Sequence, residues 1–218
     1  MVQQIPLMIS QSIDVLTHPN EGTFEKYERS GTIAHAALYI GLAALIAGLF
    51  GLVEGPLGFV RGILGALLGF FIFTGLVYYI GKQQGGTGTF DEVAYTFSLF
   101  NAPLQVIGAV IGILVIIPIL GQLIVLAVAL ALLVANVYFA YIAVRSSMNL
   151  RSQQQAMVTL GLAFVANVII YILLSALSFS HCSKNDTLAG KMKALAVATA
   201  SALTFFTKIL NYLLTKFS

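Results

Sequence analysis

The chain has 218 residues, 59% of them hydrophobic and 9% charged, with a net charge of +3 and a mean hydropathy of +0.95. A soluble domain carries about 25% charged residues, so this chain lacks the polar surface to face water all round and lipid must cover much of it. The basic residues are scattered rather than gathered into a stripe, which excludes a nucleic-acid groove, and the single cysteine, Cys182, excludes a disulfide framework or a multi-thiolate metal site.

Residues 1–32 precede the first long apolar run. They lack a basic n-region and a small-residue cleavage site, so they do not read as a removable signal peptide. Ile5, Ile9, Ile13 and Leu16 share one helical face that ends at Thr17-His18-Pro19, which predicts an amphipathic helix along the membrane interface. Glu25 and Arg29 are spaced for an i,i+4 ion pair.

A helix needs roughly 20 apolar residues to cross the bilayer core. Ile33–Val53 meets that without a charge, and Leu57–Ile80 meets it with Arg61 near one end. No charge lies between Glu92 and Arg145, a run too long for one helix. Pro118 and Gly121 mark a break inside it, which predicts two spans, 102–117 and 121–144, joined by a very tight turn. Ala156–Ser178 is a fifth. Tyr78 and Tyr79 before Lys82, and Tyr138 and Tyr141 before Arg145, follow the interfacial aromatic pattern. With the N-terminus cytoplasmic, Lys26, Arg29, Lys82, Arg145 and Arg151 all fall on the cytoplasmic side and only Arg61 opposite, which favours that orientation.

Residues 179–218 form a basic amphipathic tail. From Leu188 onward, Ser201, Thr204, Lys208, Asn211 and Thr215 make a polar stripe at helical spacing. An interfacial helix suits its lysines better than a sixth span; both assignments stay open.

Inside the apolar runs, Gly58, Gly62, Gly65 and Gly69 put a bare stripe along the second span, and Gly108 and Gly112 repeat it on the third. Such small-xxx-small patterns chiefly serve close helix packing; a dimer seam is the sharper alternative. Asn136 and Asn167 lie within spans, and Gln105 and Gln122 near span ends. Interhelical hydrogen bonding explains them better than a solute pathway, which usually shows ionisable residues at mid-membrane.

The segment Gly81–Pro103, GKQQGGTGTFDEVAYTFSLFNAP, stands apart. Its glycines fail the phosphate-loop pattern, because Gly88 is followed by Thr89-Phe90 rather than by Lys-Ser/Thr. Thr89 and Glu92 fit a capping box, and with Asp91 they make that helix end unattractive to an anion. The helix so started is read as a short one along the interface, closed by Asn101-Ala102-Pro103. Asp91 and Glu92 are adjacent and diverge on a helix. His18, His35, His181 and Cys182 lack metal-ligand spacing, and neither Gly-x-Ser-x-Gly nor His-Glu-x-x-His occurs. No catalytic residue, metal or cofactor is expected.

Three features in order resemble the Yip family, the Ypt/Rab-GTPase-interacting membrane domain. They are Asp14-Val15-Leu16-Thr17-His18-Pro19 followed by Thr23-Phe24; the glycine-rich connection Gly85-Gly86-Thr87-Gly88-Thr89-Phe90 leading to Asn101-Ala102-Pro103-Leu104; and two spans, this loop, a closely coupled pair and a last span. The resemblance covers about residues 10–178 and makes His18, Pro19, Gly85, Gly86, Gly88, Phe90, Asn101 and Pro103 the family-motif and interaction residues. The short N-terminal segment, and Gly55-Pro56 in place of an Asp-Leu-Tyr-Gly-Pro type signature, are similar to the compact bacterial form. The resulting expectation is an all-α polytopic bundle of five transmembrane helices with interfacial amphipathic helices, in a bacterial inner membrane. Its domains are 1–32, 33–178 and 179–218. Its role is non-enzymatic, membrane-organising or partner- and lipid-binding, with membrane lipid and a membrane protein or a second copy as partners. A channel or transporter formed by an oligomer is the alternative.

Overall fold

The computed structural model describes residues 4–51, 56–112, 114 and 117–181. The basic tail from Leu188, with its two alternative assignments, lies outside the described residues. Among the described residues seven helices follow in order: α1 Gln4–Thr17, α2 Glu21–Glu28, α3 Ile33–Gly51, α4 Pro56–Gln83, α5 Phe90–Gly112, α6 Leu120–Met148 and α7 Gln153–His181. Among the described residues there is no strand. Four of the helices are long and apolar enough to cross a membrane, and five are if α2 and α3, bent by 113° at their junction, count as one broken span. The chain divides into two compact units, Met1–Ala163 and Phe164–Ser218. Of the second, the described part is the C-terminal half of α7.

Local chemistry sets the ends of these helices. Asn20 caps α2 by accepting from Thr23 N–H at 2.9 Å. Ser152 and Gln155 form a reciprocal cap at the start of α7, with Ser152 Oγ accepting from Gln154 N–H and Gln155 Oε1 from Ser152 N–H. Asn149, in the left-handed region at φ 52°, terminates α6. α5 ends at Gly112, short of the expected 117, and the turn at 117–121 is tight, as the Pro-Gly pair predicts. Leu120 N–H bonds to Pro118 C=O at 2.7 Å, and Gly121 N–H to Ile117 C=O at 3.1 Å. Ile119 takes φ 62°, and a Cβ on Gly121 would overlap the Leu114 carbonyl.

The sequence reading misplaces one element. The short helix expected to close at Pro103 and lie on the interface is the first half of a single helix, α5, which runs on to Gly112 with Pro103 inside. A proline removes one backbone donor from a helix, a loss that packed membrane helices tolerate, and Gln105 Nε2 bonds back to Asn101 Oδ1 across the site at 2.6 Å. Every residue from Val93 to Phe100 is buried, so this stretch faces neither lipid nor water. It packs against α1, α2, α3, α4 and α6.

Phe100 is the centre of that packing. Its ring lies 6.4 Å from Phe24 of α2, 5.3 Å from Phe97 and 5.8 Å from Phe139 of α6. Phe97 in turn meets Phe73 of α4 at 5.9 Å. Four helices therefore share one aromatic cluster, with ring pairs at the separations that aromatic pairs favour.

The glycine pattern serves packing in part. A Cβ on Gly62 of α4 would lie 3.6 Å from the Gly48 Cα of α3, and one on Gly108 of α5 would lie 3.5 Å from Leu132 Cδ1 of α6. Around Gly65 and Gly112 the space is open, and Gly58 and Gly69 are half-buried. Truncating the cluster's central ring in Phe100→Ala is expected to lower the unfolding free energy by about 3–5 kcal/mol. Leu68→Ala, on an exposed face, should cost far less. Denaturant unfolding in mixed micelles measures both.

Candidate functional site

The antiparallel helices bring the start of α3, the end of α4, the start of α5, the end of α6 and the start of α7 to one end of the first unit. There α1, α2 and the loop after α4 seal them. The glycines of that loop are explained by a protein wall. Thr87 N–H donates to Met148 C=O at 3.0 Å. A Cβ on Gly88 would overlap the Ser147 carbonyl, and one on Gly86 would sit 2.6 Å from Met148 Cε and 2.8 Å from the Gly81 carbonyl. Gly85, at φ 88°, holds the left-handed turn that makes this approach possible. Lys82 Nζ donates to Thr87 C=O and Gln155 Nε2 to Gln84 C=O. The loop is thus pinned to α6 and α7, its buried glycines occupied by backbone rather than open to a ligand.

At the start of α5, Thr89 N–H donates to Glu92 Oε2 at 2.7 Å and Glu92 N–H to Thr89 Oγ1 at 3.3 Å. Asp91 does something the sequence did not suggest. Its Oδ1 accepts from Ile33 N–H at 2.6 Å, so it satisfies the first turn of α3, a helix end that otherwise exposes unpaired donors. The expected Glu25–Arg29 pair is replaced. Arg29 Nε lies 3.6 Å from Glu28 Oε1 and 3.4 Å from Glu92 Oε1. Two carboxylates on two helices offer a better anchor than one exposed i,i+4 partner.

Two motif residues sit on the rim. His18 Nδ1 lies 3.2 Å from Asp14 Oδ1, and Pro19 C=O accepts from Tyr138 Oη at 3.4 Å. Phe90 packs on Tyr78 with ring centroids 5.6 Å apart. Arg145 Nη1 pairs with Glu21 at 2.7 Å, tying α6 to α2.

Three polar links here carried no sequence signal because their partners lie far apart in the chain. Tyr95 Oη donates to Gln11 Oε1 at 2.6 Å. Ser12 Oγ and Tyr39 Oη are 2.9 Å apart. Ser146 Oγ donates to Glu28 Oε2 at 3.1 Å. The Glu28 carboxylate is almost wholly buried, and burial pushes its pKa up, with the Ser146 hydroxyl and Arg29 opposing and Glu92 adding to the rise. Asp14 is the reverse case. The Tyr27 hydroxyl, donating at 2.6 Å, holds it below the usual carboxylate range, helped by Lys26 and His18.

Two of the polar residues that the sequence places in the spans bond within their own helices. Asn136 Nδ2 donates to Leu132 C=O and Gln105 to Asn101. Gln105 Oε1 and Asn167 Oδ1 are buried without a hydrogen-bond partner, and Gln122 is exposed. Among the described residues no group of three or more His, Cys, Asp or Glu is placed to hold a metal ion.

Long apolar helices closed at one end by two short helices and a pinned glycine loop define a polytopic helical membrane protein whose polar architecture is concentrated at that end. The Yip1 domain family matches residues 13–176, and the chain belongs to that family. The match runs from the last turn of α1 into α7 and takes in the sealed end apart from residues 4–12 of α1. Nothing among curated proteins or solved structures matches.

Gly88→Ala is expected to destabilise by at least the ~1–3 kcal/mol of an overpacked core, because a carbonyl rather than a flexible side chain blocks the methyl. Gly65→Ala should be neutral or slightly stabilising. Thermal unfolding in lipid nanodiscs compares the two.

A second outcome concerns pH. The Glu28 carboxyl has its folded-state pKa raised, so its contribution is fully present below the unfolded value and is lost as pH rises through the folded value. Asp14, with its pKa lowered, contributes above the usual carboxylate range and loses that contribution as pH falls. Glu28→Gln should therefore unfold at a higher temperature than the parent at neutral pH, with the difference vanishing in acid. A pH series of melting temperatures reads it.

Proposed function

We propose that this chain is a non-enzymatic protein of a bacterial inner membrane, that its sealed end faces the cytoplasm, and that it works there by holding a partner or lipid at α1 and α2. The observation that carries this reading is the contrast between the two parts of the first unit. Within the spans Asn136 and Gln105 bond inside their own helices, while the sealed end concentrates the charges and ties five helices, α1, α2, α3, α5 and α6, with ion pairs and hydrogen bonds. A rigid end of this kind presents a fixed surface, and a fixed surface loses less entropy when it binds.

The basic residues support the orientation. Lys26, Arg29, Lys82, Arg145 and Arg151 all belong to the sealed end by the order of the helices, the distribution expected of a cytoplasmic face. Glu25 and Lys26 are exposed on α2, beside the motif residues His18 and Pro19, and mark the accessible part of that surface. Thr87 and Thr89 of the glycine loop are exposed as well.

A photoreactive side chain placed at Glu25 in native membranes is expected to give a discrete adduct. In chains carrying the same probe, Lys26→Gln should weaken it. An absence of any protein or lipid adduct from Glu25, with the chain folded and inserted, overturns the docking role.

A further inference from the structure

A helix that packs its apolar face inward and its polar face outward is the arrangement water imposes. α1 departs from that arrangement. Its bundle-facing residues are Met8, Gln11, Ser12 and Val15, and two of these are polar. They are accommodated because Gln11 accepts from Tyr95 and Ser12 bonds Tyr39. The opposite side exposes Leu7, Ile9 and Ile13, at 48%, 44% and 58%. The other exposed positions there are Pro6, Ser10 and Thr17, none of them charged. Asp14 is the single charge on the helix, and Tyr27 and Lys26 already occupy it.

We infer that α1 is an in-plane membrane helix whose outer face, centred on Ile9 and Ile13, lies among the acyl chains of the leaflet bordering the sealed end. This deepens the reading of α1 and α2 as the working surface and rests on it. Lipid is the occupant that the position of the helix selects. Tyr39 lies six residues into α3, roughly 9 Å along its axis, and Tyr95 five residues into α5, so these bonds hold α1 level with the spans rather than beyond their ends. One turn past Tyr39, α3 exposes Leu42 and then Leu45. The outward face of α1 continues the apolar surface that the spans present to lipid. Lys26 at its edge suits a headgroup layer.

The chain contains no tryptophan, so Ile13→Trp reports on this face alone. In the full chain reconstituted into vesicles of zwitterionic and anionic phospholipid, its emission is expected to be blue-shifted. Lipids brominated in the upper acyl chain should remove most of that emission. Glu25→Trp should emit as a water-exposed indole and resist the same quencher. Ile9→Trp carries the same expectation as Ile13→Trp and stands in for it if that variant does not fold. Water-like emission at both positions overturns the inference. So does blue-shifted emission that brominated lipid leaves intact, since a second copy or another protein then covers the face. Failure of the quenching with the Glu25 adduct retained removes the lipid contact and leaves the docking role. Quenching with no Glu25 adduct does the reverse.

Discussion

The constraint on which the first unit depends is the burial of α5 from Val93 to Phe100 on every side. A helix needs only one apolar stripe to pack against one neighbour. One that is buried all round must be enclosed, and each enclosing element must meet it with a complementary surface. Phe97 and Phe100 meet α4, α2 and α6 through ring contacts. Tyr95 meets α1 through the Gln11 bond, and its ring fills the space where Gly31 has no side chain. Ser98 fits here because its hydroxyl donates to Tyr95 C=O, whereas Thr96 Oγ1 is buried without a hydrogen-bond partner.

Enclosing α5 brings the chain's charges together. The short helices that cover it come from the N-terminal segment, and their ends face the ends of the spans. Five carboxylates there have a structural partner: Asp14 with Tyr27, Glu21 with Arg145, Glu28 with Ser146 and Arg29, Asp91 with Ile33 N–H, and Glu92 with Thr89 N–H. Buried polar groups of this kind are costly when unpaired and specific when paired. The membrane domain and the N-terminal segment thus form one cooperative structure, and α1 and α2 cannot be treated as an appended tail.

Much of this was legible in the chain. The long apolar runs, the break at Pro118 and Gly121, the failure of the phosphate-loop pattern and the order of the Yip-type motifs all came from local composition and spacing. Pro103 misled because a proline read locally stops a helix, whereas enclosure on all sides carries α5 through it. The interfacial placement of that segment failed for the same reason: the face it shows depends on what surrounds it. For α1 the apolar face at Ile5, Ile9, Ile13 and Leu16 was visible in the sequence, but its outward direction was not. Arg29 was paired with the wrong glutamate because i,i+4 spacing records only neighbours along one helix.

By itself the sequence determined that this is a multi-pass helical membrane protein of the Yip family. Hydropathy, helical period and turn chemistry act over a few residues and leave their marks in order along the chain. The tertiary structure alone decided that α5 is the enclosed centre, that Asp91 satisfies the start of α3, that the glycine loop is filled by the end of α6, and that α1 turns Gln11 and Ser12 inward. Each of these joins positions far apart in the chain, and such pairings are set by enclosure and by the need to satisfy buried polar groups, neither of which has a local period.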